Sequence, residues 1–279
     1  MFPNSRTENT RPALFDYANI KSKPQESLHD PQVTASTAHT LEQLKLLAMP
    51  ENWNYTRSPN PLPNPILYNY LLHTFARIQE QNKILQKGNY SCFNTGLVTE
   101  NQEEIFMMFK QSQNSGFRFF QGFYKESSTP MQSFDSLPER ATYYNEAADL
   151  LFDHRLELRI NIDHIIDDEE NFARFPPDIR QWPKLQLLNT FRGAVEHAQK
   201  RAKRNYLTAV PQFYRGKQNP EGNLQLLLPL CLRYPSQADL ALTVYKAGNC
   251  YAGRTCLTLD MAMNNARLIT KPDDEWLKP

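Results

Sequence analysis

The stretch Arg155-Leu156-Glu157-Leu158-Arg159-Ile160-Asn161-Ile162-Asp163-His164 alternates polar and apolar residues as far as Asp163. A strand sends successive side chains to opposite faces, so this period of two predicts a strand over 155–164. Leu156, Leu158, Ile160 and Ile162 form its apolar face, while Arg155, Glu157, Arg159, Asn161 and Asp163 form a face with no apolar residue. Such a strand packs on a core with one side and shows donors and acceptors on the other. The polar face is open to two readings: the floor of a site, or the solvated side of a half-buried antiparallel sheet.

A chain of 279 residues can make one large domain or two modest ones, and 40% apolar residues suffice for a core. The net charge of +1 leaves no global field, so attraction to nucleic acid must come from a local patch. Cys92, Cys231, Cys250 and Cys256 lie far apart and form no CxxC pair, which makes reduced structural thiols the expectation. No apolar leader opens the chain, and no run nears the roughly 18 apolar residues of a membrane helix. A soluble, cytoplasmic protein without signal peptide or membrane span follows as the expectation, and the sequons at Asn54 and Asn89 carry no weight. The nine glycines are scattered, which argues against Walker-A, GxGxxG and kinase Gly-rich loops.

Residues 1 to about 35 read as a flexible polar arm, and 36–279 as a single domain. A short helix is expected from Thr37 to before Pro50, then an extended connector carrying Pro59, Pro61, Pro63 and Pro65, with Trp53 and Tyr55 docked on the body. A helix begins at Pro65 with Asn64 as its cap and stops before Gly88, its stripe running through Leu67, Leu71, Leu72, Phe75, Ile78 and Leu85. Tyr90 to Phe93 reads as a strand ending in the turn Asn94-Thr95-Gly96, and Asn101 to Lys110 as a helix. Phe117 to Phe123 is expected as a buried strand, and Glu139 to Asp153 as a short helix. The acidic run 167–170 reads as a solvated loop, metal ligation being the other option. A long basic helix covers about Lys184 to Leu207 with Leu188, Phe191, Val195, Ala198 and Ala202 buried. Leu224 to Leu232 is a central strand with an irregularity at Pro229, and Leu240–Tyr245 and Cys250–Leu259 flank a hairpin at Ala247-Gly248-Asn249. Asp260 then caps a last helix, Met261 to Ile269. Several strand links are too short for helical crossovers, so the expected class is α+β with a mixed or mainly antiparallel central sheet packed with helices.

Three groups could carry chemistry. His164 follows Asn161 and Asp163; an imidazole beside a carboxylate and an arginine suits proton transfer, and a hydrogen-bonded structural histidine is the plainer reading. His154 and His197 offer less. The run Lys200-Arg201-Ala202-Lys203-Arg204-Asn205-Tyr206, continued by Gln212-Phe213-Tyr214-Arg215-Gly216-Lys217, interleaves cations with aromatic and amide groups. Splayed single-stranded RNA asks for that mixture, although cations at a helix C-terminus also complement its dipole. The third group joins Arg254, Thr255, Thr258, Asp260, Asn264, Asn265 and Arg267, where paired asparagines sit in a helix against their propensity. Asn94 and Thr95 present donors at a turn, as a site rim or as turn chemistry. HExxH, GxSxG and KxDG-type motifs are missing.

The blocks Cys92-Phe93-Asn94-Thr95-Gly96-Leu97-Val98-Thr99, Arg155 to Asn161, Lys203-Arg204-Asn205-Tyr206, Tyr214-Arg215-Gly216 and Thr258 to Leu268 resemble, in the same order, the signature blocks of a bacterial domain-of-unknown-function family, number 3825. The resemblance runs from about Leu41 to Pro279 and departs at Met263, where an aromatic residue is expected. Because members of that family are often joined to cold-shock or other OB-type RNA-binding modules, the resemblance implies a role with RNA.

These readings combine into one expectation: a protein that binds RNA or a nucleotide in a cationic cleft. Arg159 and Asn161 would floor the cleft and Lys203, Arg204, Tyr214 and Arg215 would wall it. Asn94, Thr95, Asn205, Asn264, Asn265 and Arg267 would complete the ligand contacts. Were it an enzyme, phosphate-ester chemistry fits best, with His164, Arg159, Asn161 and Asp260 as the catalytic set. The cofactor is open, a divalent metal such as Mg²⁺ being one option with no ligand set assigned. Two rivals stand beside this: a non-catalytic regulatory module docking a partner protein, and a small-nucleotide hydrolase without an RNA role.

Overall fold

The structure, a computed structural model, describes residues 13–20, 31–55, 57, 62–216, 219–272, 276 and 277. The rest of the N-terminal arm, Pro59 and Pro61 of the connector, and Lys217 lie outside the described residues. The chain divides into two compact units, 1–142 and 143–279. Each has its own sheet, and the class is α+β.

The first unit holds helices α1 (Ala13–Tyr17), α2 (Pro31–Leu47) and α3 (Pro65–Glu80). They accompany an antiparallel meander of β1 (Leu85–Lys87), β2 (Tyr90–Val98), β3 (Glu104–Gln111) and β4 (Arg118–Lys125), followed by the single turn α4 (Thr129–Gln132). The helix expected over Asn101 to Lys110 is instead β3. Ile105 through Phe109 are all buried, Phe109 packing with Phe93 on one face and Phe106 and Met108 meeting Met131 of α4 on the other. A strand covered on both faces needs no polar alternation, so an unbroken apolar run cannot reveal its period.

Asn64 precedes α3 in the left-handed region (φ 55°) and makes no side-chain cap; its Nδ2 donates to Glu42 instead. α3 ends at Glu80, before Leu85, which belongs to β1. Trp53 is buried, as the docking expectation required. β4 is half-buried, and Phe117 before it is exposed. Residues 13–20 of the segment read as an arm are packed: Leu14, Ala18 and Ile20 are buried. The Asn19 amide donates to the Arg118 carbonyl, and its own carbonyl accepts from the Phe120 amide.

In the second unit the sheet order is β5-β9-β8-β7-β6, with β5 (Glu157–Ile160) parallel to β9 (Cys250–Leu257) and every other pair antiparallel. β6 spans Val210–Gly216, β7 Asn219–Leu230 and β8 Leu240–Ala247. Between β5 and β6 run the short helices α5 (Ile162–Asp167) and α6 (Glu169–Phe172) and the long α7 (Lys184–Arg204); α8 (Leu259–Arg267) follows β9. α7 lays Leu187, Phe191, Ala194, Val195, Ala198 and Ala202 on Leu226, Leu228, Leu230, Leu240, Leu242 and Val244. α8 faces the opposite side of the sheet, since Asn265 bonds Gln212, which pairs with Gln225, next to Leu226 and so of opposite parity.

The alternating stretch keeps its period only over Glu157–Ile160, where Glu157 and Arg159 are exposed and Leu158 and Ile160 pack on the core. The remainder of the expected strand is replaced because Asn161 Oδ1 accepts from the His164 amide (3.1 Å) and starts α5. The helix expected over Glu139 to Asp153 reduces to a 3₁₀ turn at Ala147–Leu150. Upstream, the backbone is spent on side chains: Gln81 brackets Thr142 (2.6 and 2.9 Å), and Lys83 Nζ donates to the Arg140 carbonyl (2.9 Å). Thr258, not Asp260, caps α8, accepting from the Met261 amide, and Asp260 is buried in the first turn. The β8–β9 hairpin turns at Gly248, whose φ of 63° suits glycine. Pro229 lies beyond Leu227, the last β7 residue paired with β6 on that side, so its missing N–H costs β6 no ladder bond.

Candidate functional site

The buried stripe of α7 leaves Arg192, Glu196, His197, Lys200, Lys203 and Arg204 on its exposed face. Lys200 pairs with Glu196 and holds that carboxyl below its usual range. Arg201 Nη1 reaches Cys231 Sγ at 3.9 Å. Lys203 and Arg204 have no carboxylate within 4.0 Å among the described residues. Asn205 ends the helix, its Oδ1 accepting from the Leu207 amide (3.0 Å), and starts the 3₁₀ turn Tyr206–Thr208. That turn is fastened by Trp276 Nε1, which donates to the Thr208 carbonyl at 2.9 Å. Tyr206 stands 65% exposed on it. The result is two exposed cations followed by an exposed ring on a fixed turn.

A second constellation lies on the α8 side of the sheet. Asn265 Nδ2 donates to Gln212 Oε1 (3.0 Å), Gln212 Nε2 to Gln225 Oε1 (2.8 Å), and Gln225 Nε2 to Asn223 Oδ1 (3.2 Å). Tyr214 pairs with Asn223 in register and is partly exposed at the end of this ladder. Asp260, Asn264 and Arg267 fall at i, i+4 and i+7 on α8, with Asp260 and Arg267 buried. Met263 is buried in the same helix. Asn223 and Gln225 were not singled out from the sequence, although Asn223-Leu224-Gln225-Leu226 carries the period-two signal that the apolar run after it hides.

The remaining expected residues stand elsewhere. Arg159 pairs with Glu157 at 2.7 Å, both exposed, and Asn161 is the cap of α5. β5 and β6 form opposite edges of the sheet, four strand spacings or about 19 Å apart. Lys184, bonded to Asp167 of α5 at 2.6 Å, begins α7, and Lys203 is about 29 Å farther along the same helix. Arg159, Asn161 and His164 therefore do not converge with Lys203 and Arg204. Tyr214 is separated from them as well, because α7 and Tyr214 occupy opposite faces of the sheet. His164 is exposed on α5. Of the acidic run, Asp167 is taken by Lys184 and Asp168 caps α6. Among the described residues no three His, Cys, Asp or Glu side chains gather where they could hold a metal ion.

Asn94 and Thr95 belong to the first unit and are fully buried inside β2, not displayed at a turn. Asn94 Nδ2 donates to Glu104 (2.9 Å) and the Pro138 carbonyl (3.2 Å), while its Oδ1 accepts from the Gly96 amide. Thr95 Oγ1 donates to the Ile105 carbonyl (2.7 Å). The pair is occupied in holding a bulge, where the β2–β3 register shifts between Asn94 and Val98.

A family model described as a domain of unknown function (DUF3825) matches residues 44–276. The chain belongs to the DUF3825 family. The match takes in all four groups of residues described above, so each is part of the family's domain. No curated protein and no solved structure matches this DUF3825 chain. No helix among the described residues is long and apolar enough to cross a membrane.

Proposed function

We propose that this protein binds RNA, and that it does so on the second unit at the C-terminal end of α7. The observation that carries the reading is the pair Lys203 and Arg204, exposed and without carboxylate partners among the described residues, running directly into the exposed ring of Tyr206. Cations needed only to complement a helix dipole do not require an aromatic neighbour held on a fixed turn. RNA uses both, phosphate oxygens taking the guanidinium fork and the ammonium, and an unstacked base taking the ring. With a net charge of +1 the attraction is local and does not depend on a global field. The resemblance noted in the sequence, to a family whose members are often joined to RNA-binding modules, favours the same reading.

The reading is one of binding. Arg159 pairs with Glu157, Asn161 caps α5 through the His164 amide, and Asp260 is buried in the first turn of α8, so no bond-breaking step is assigned to them. The test is fluorescence anisotropy with labelled RNA over a series of salt concentrations. Replacing both cations, Lys203→Ala with Arg204→Ala, should weaken binding by roughly tenfold at low salt and flatten the log–log salt dependence by about 1.4 for two lost phosphate contacts. Unchanged affinity and slope in the double variant would remove the basis of the proposal.

A further inference from the structure

The β7–β8 loop, 231–239, is built around one carboxylate. The Asp239 side chain is 1% exposed and accepts from the Leu232 amide (2.7 Å), the Arg233 amide (3.1 Å) and Arg233 Nε (2.7 Å). Arg233 reaches outward to Asp178 as well (3.2 Å), and the Gln237 amide closes the tip by donating to the Tyr234 carbonyl. On this tightly held tip Tyr234 is 62% exposed. A loop that gathers its backbone donors onto a buried carboxylate and leaves a large ring in water presents that ring in a fixed place. Little freedom is then lost when something stacks on it.

The loop lies at the same end of the sheet as Tyr206. Val210 pairs with Leu227, and β7 continues from there to Leu230, alongside the chain that precedes β6. The Arg201–Cys231 contact at 3.9 Å fastens the two segments, three residues from Tyr234 and five from Tyr206. Two exposed tyrosines on separate turns thus stand at the end of the sheet where α7 finishes with Lys203 and Arg204.

Resting on the RNA reading above, we infer that the ligand is single-stranded RNA, its bases stacking on Tyr206 and Tyr234 while Lys203 and Arg204 hold phosphates of the same strand. A duplex hides its base faces within its own stack and offers these rings nothing; a splayed strand offers a face per nucleotide. Aromatic stacking is indifferent to base identity, so the preference is for strandedness over sequence.

The test uses the full chain with a labelled oligouridylate of about 12 nucleotides, within the usual range of single-strand site sizes. The same strand annealed to its complement is the second probe. Expected are single-strand binding at least tenfold tighter than duplex binding, and roughly tenfold weakening by Tyr206→Ala and by Tyr234→Ala. Tyr206→Phe and Tyr234→Phe should bind as the parent does, since the ring face is retained. Duplex binding equal to single-strand binding, with the alanine variants silent but the Lys203 and Arg204 variants still weakened, overturns this inference and leaves the RNA reading standing. Binding of neither probe overturns both.

Discussion

Asp239 shows how much one buried carboxylate can organise. Its four donors come from two backbone amides and one guanidinium, and Asp239→Ala strands all of them. The expected loss is about 3 kcal/mol of unfolding free energy, read from the urea midpoint. Asp178→Ala, which removes the outer, half-exposed partner of the same arginine, should cost less than about 1 kcal/mol because water screens that pair. The contrast between the two tests whether burial, not charge pairing itself, gives Asp239 its weight. At this scale the sequence was a partial guide. Asn161 and Thr258 are residue types that cap helices, and both do; Asp260 has the same chemistry and does not, because Thr258 reaches the Met261 amide first. Asn94 and Thr95 have the composition of an exposed turn, yet tertiary hydrogen bonds to Glu104, Pro138 and Ile105 draw them inside a strand.

At the level of elements, the bulge in β2 is held from α3. Gly96 has a φ of 74°, and a Cβ there would stand 2.6 Å from the Tyr70 hydroxyl oxygen. That hydroxyl donates to the Thr95 carbonyl at 2.9 Å. Gly96→Ala therefore meets backbone strain and displaces the hydrogen bond together, for a loss of about 2 kcal/mol by chemical denaturation. Combined with Tyr70→Phe, which removes the obstructing oxygen, the two losses should sum to less than their separate values; strict additivity would show that the residues are not coupled. The legible elements were those with one dry face. α7 reveals itself by Phe191, Val195, Ala198 and Ala202 at helical spacing, and the β8–β9 hairpin by its Ala-Gly-Asn turn. β3 and the segment 139–153 depart from their local sequence pattern for opposite reasons. The first is covered on both sides and so has no polar face; the second has the backbone of Arg140 and Thr142 engaged by Lys83 and Gln81 and forms only a 3₁₀ turn farther on.

Across the whole molecule, the thiols offer one internal probe per unit. Cys92 is buried in the first, and burial pushes its thiol up to about 12; Cys256 is buried in the second and is pushed up for the same reason. Cys231 and Cys250 are part-exposed. Titration with a thiol reagent under native conditions should modify the latter two first and reach Cys92 and Cys256 only as their units unfold. The pH dependence has a definite sign. Below the ordinary thiol value, about 8.5, Cys92 is protonated in both folded and unfolded chains and contributes no slope. Above it, the unfolded chain ionises while the folded one holds its proton, so stability falls as pH rises toward 12. A Cys92→Ser variant should lose the Cys92 share of that alkaline slope in an unfolding series, the share from Cys256 remaining. By itself the sequence determined the α+β class, the dry stripe of α7 and the basic run that ends it, because periodicity, turn chemistry and local charge are written within a few neighbouring residues. Only the tertiary structure decided that β5 and β6 are opposite edges of one sheet, which separates Arg159 from Arg204. It also decided that α7 and α8 take opposite faces, and that a buried aspartate presents Tyr234 at the end where α7 finishes. Strand order, facing and loop placement come from pairings between residues far apart in the chain, and no local pattern specifies which partner such a residue will find.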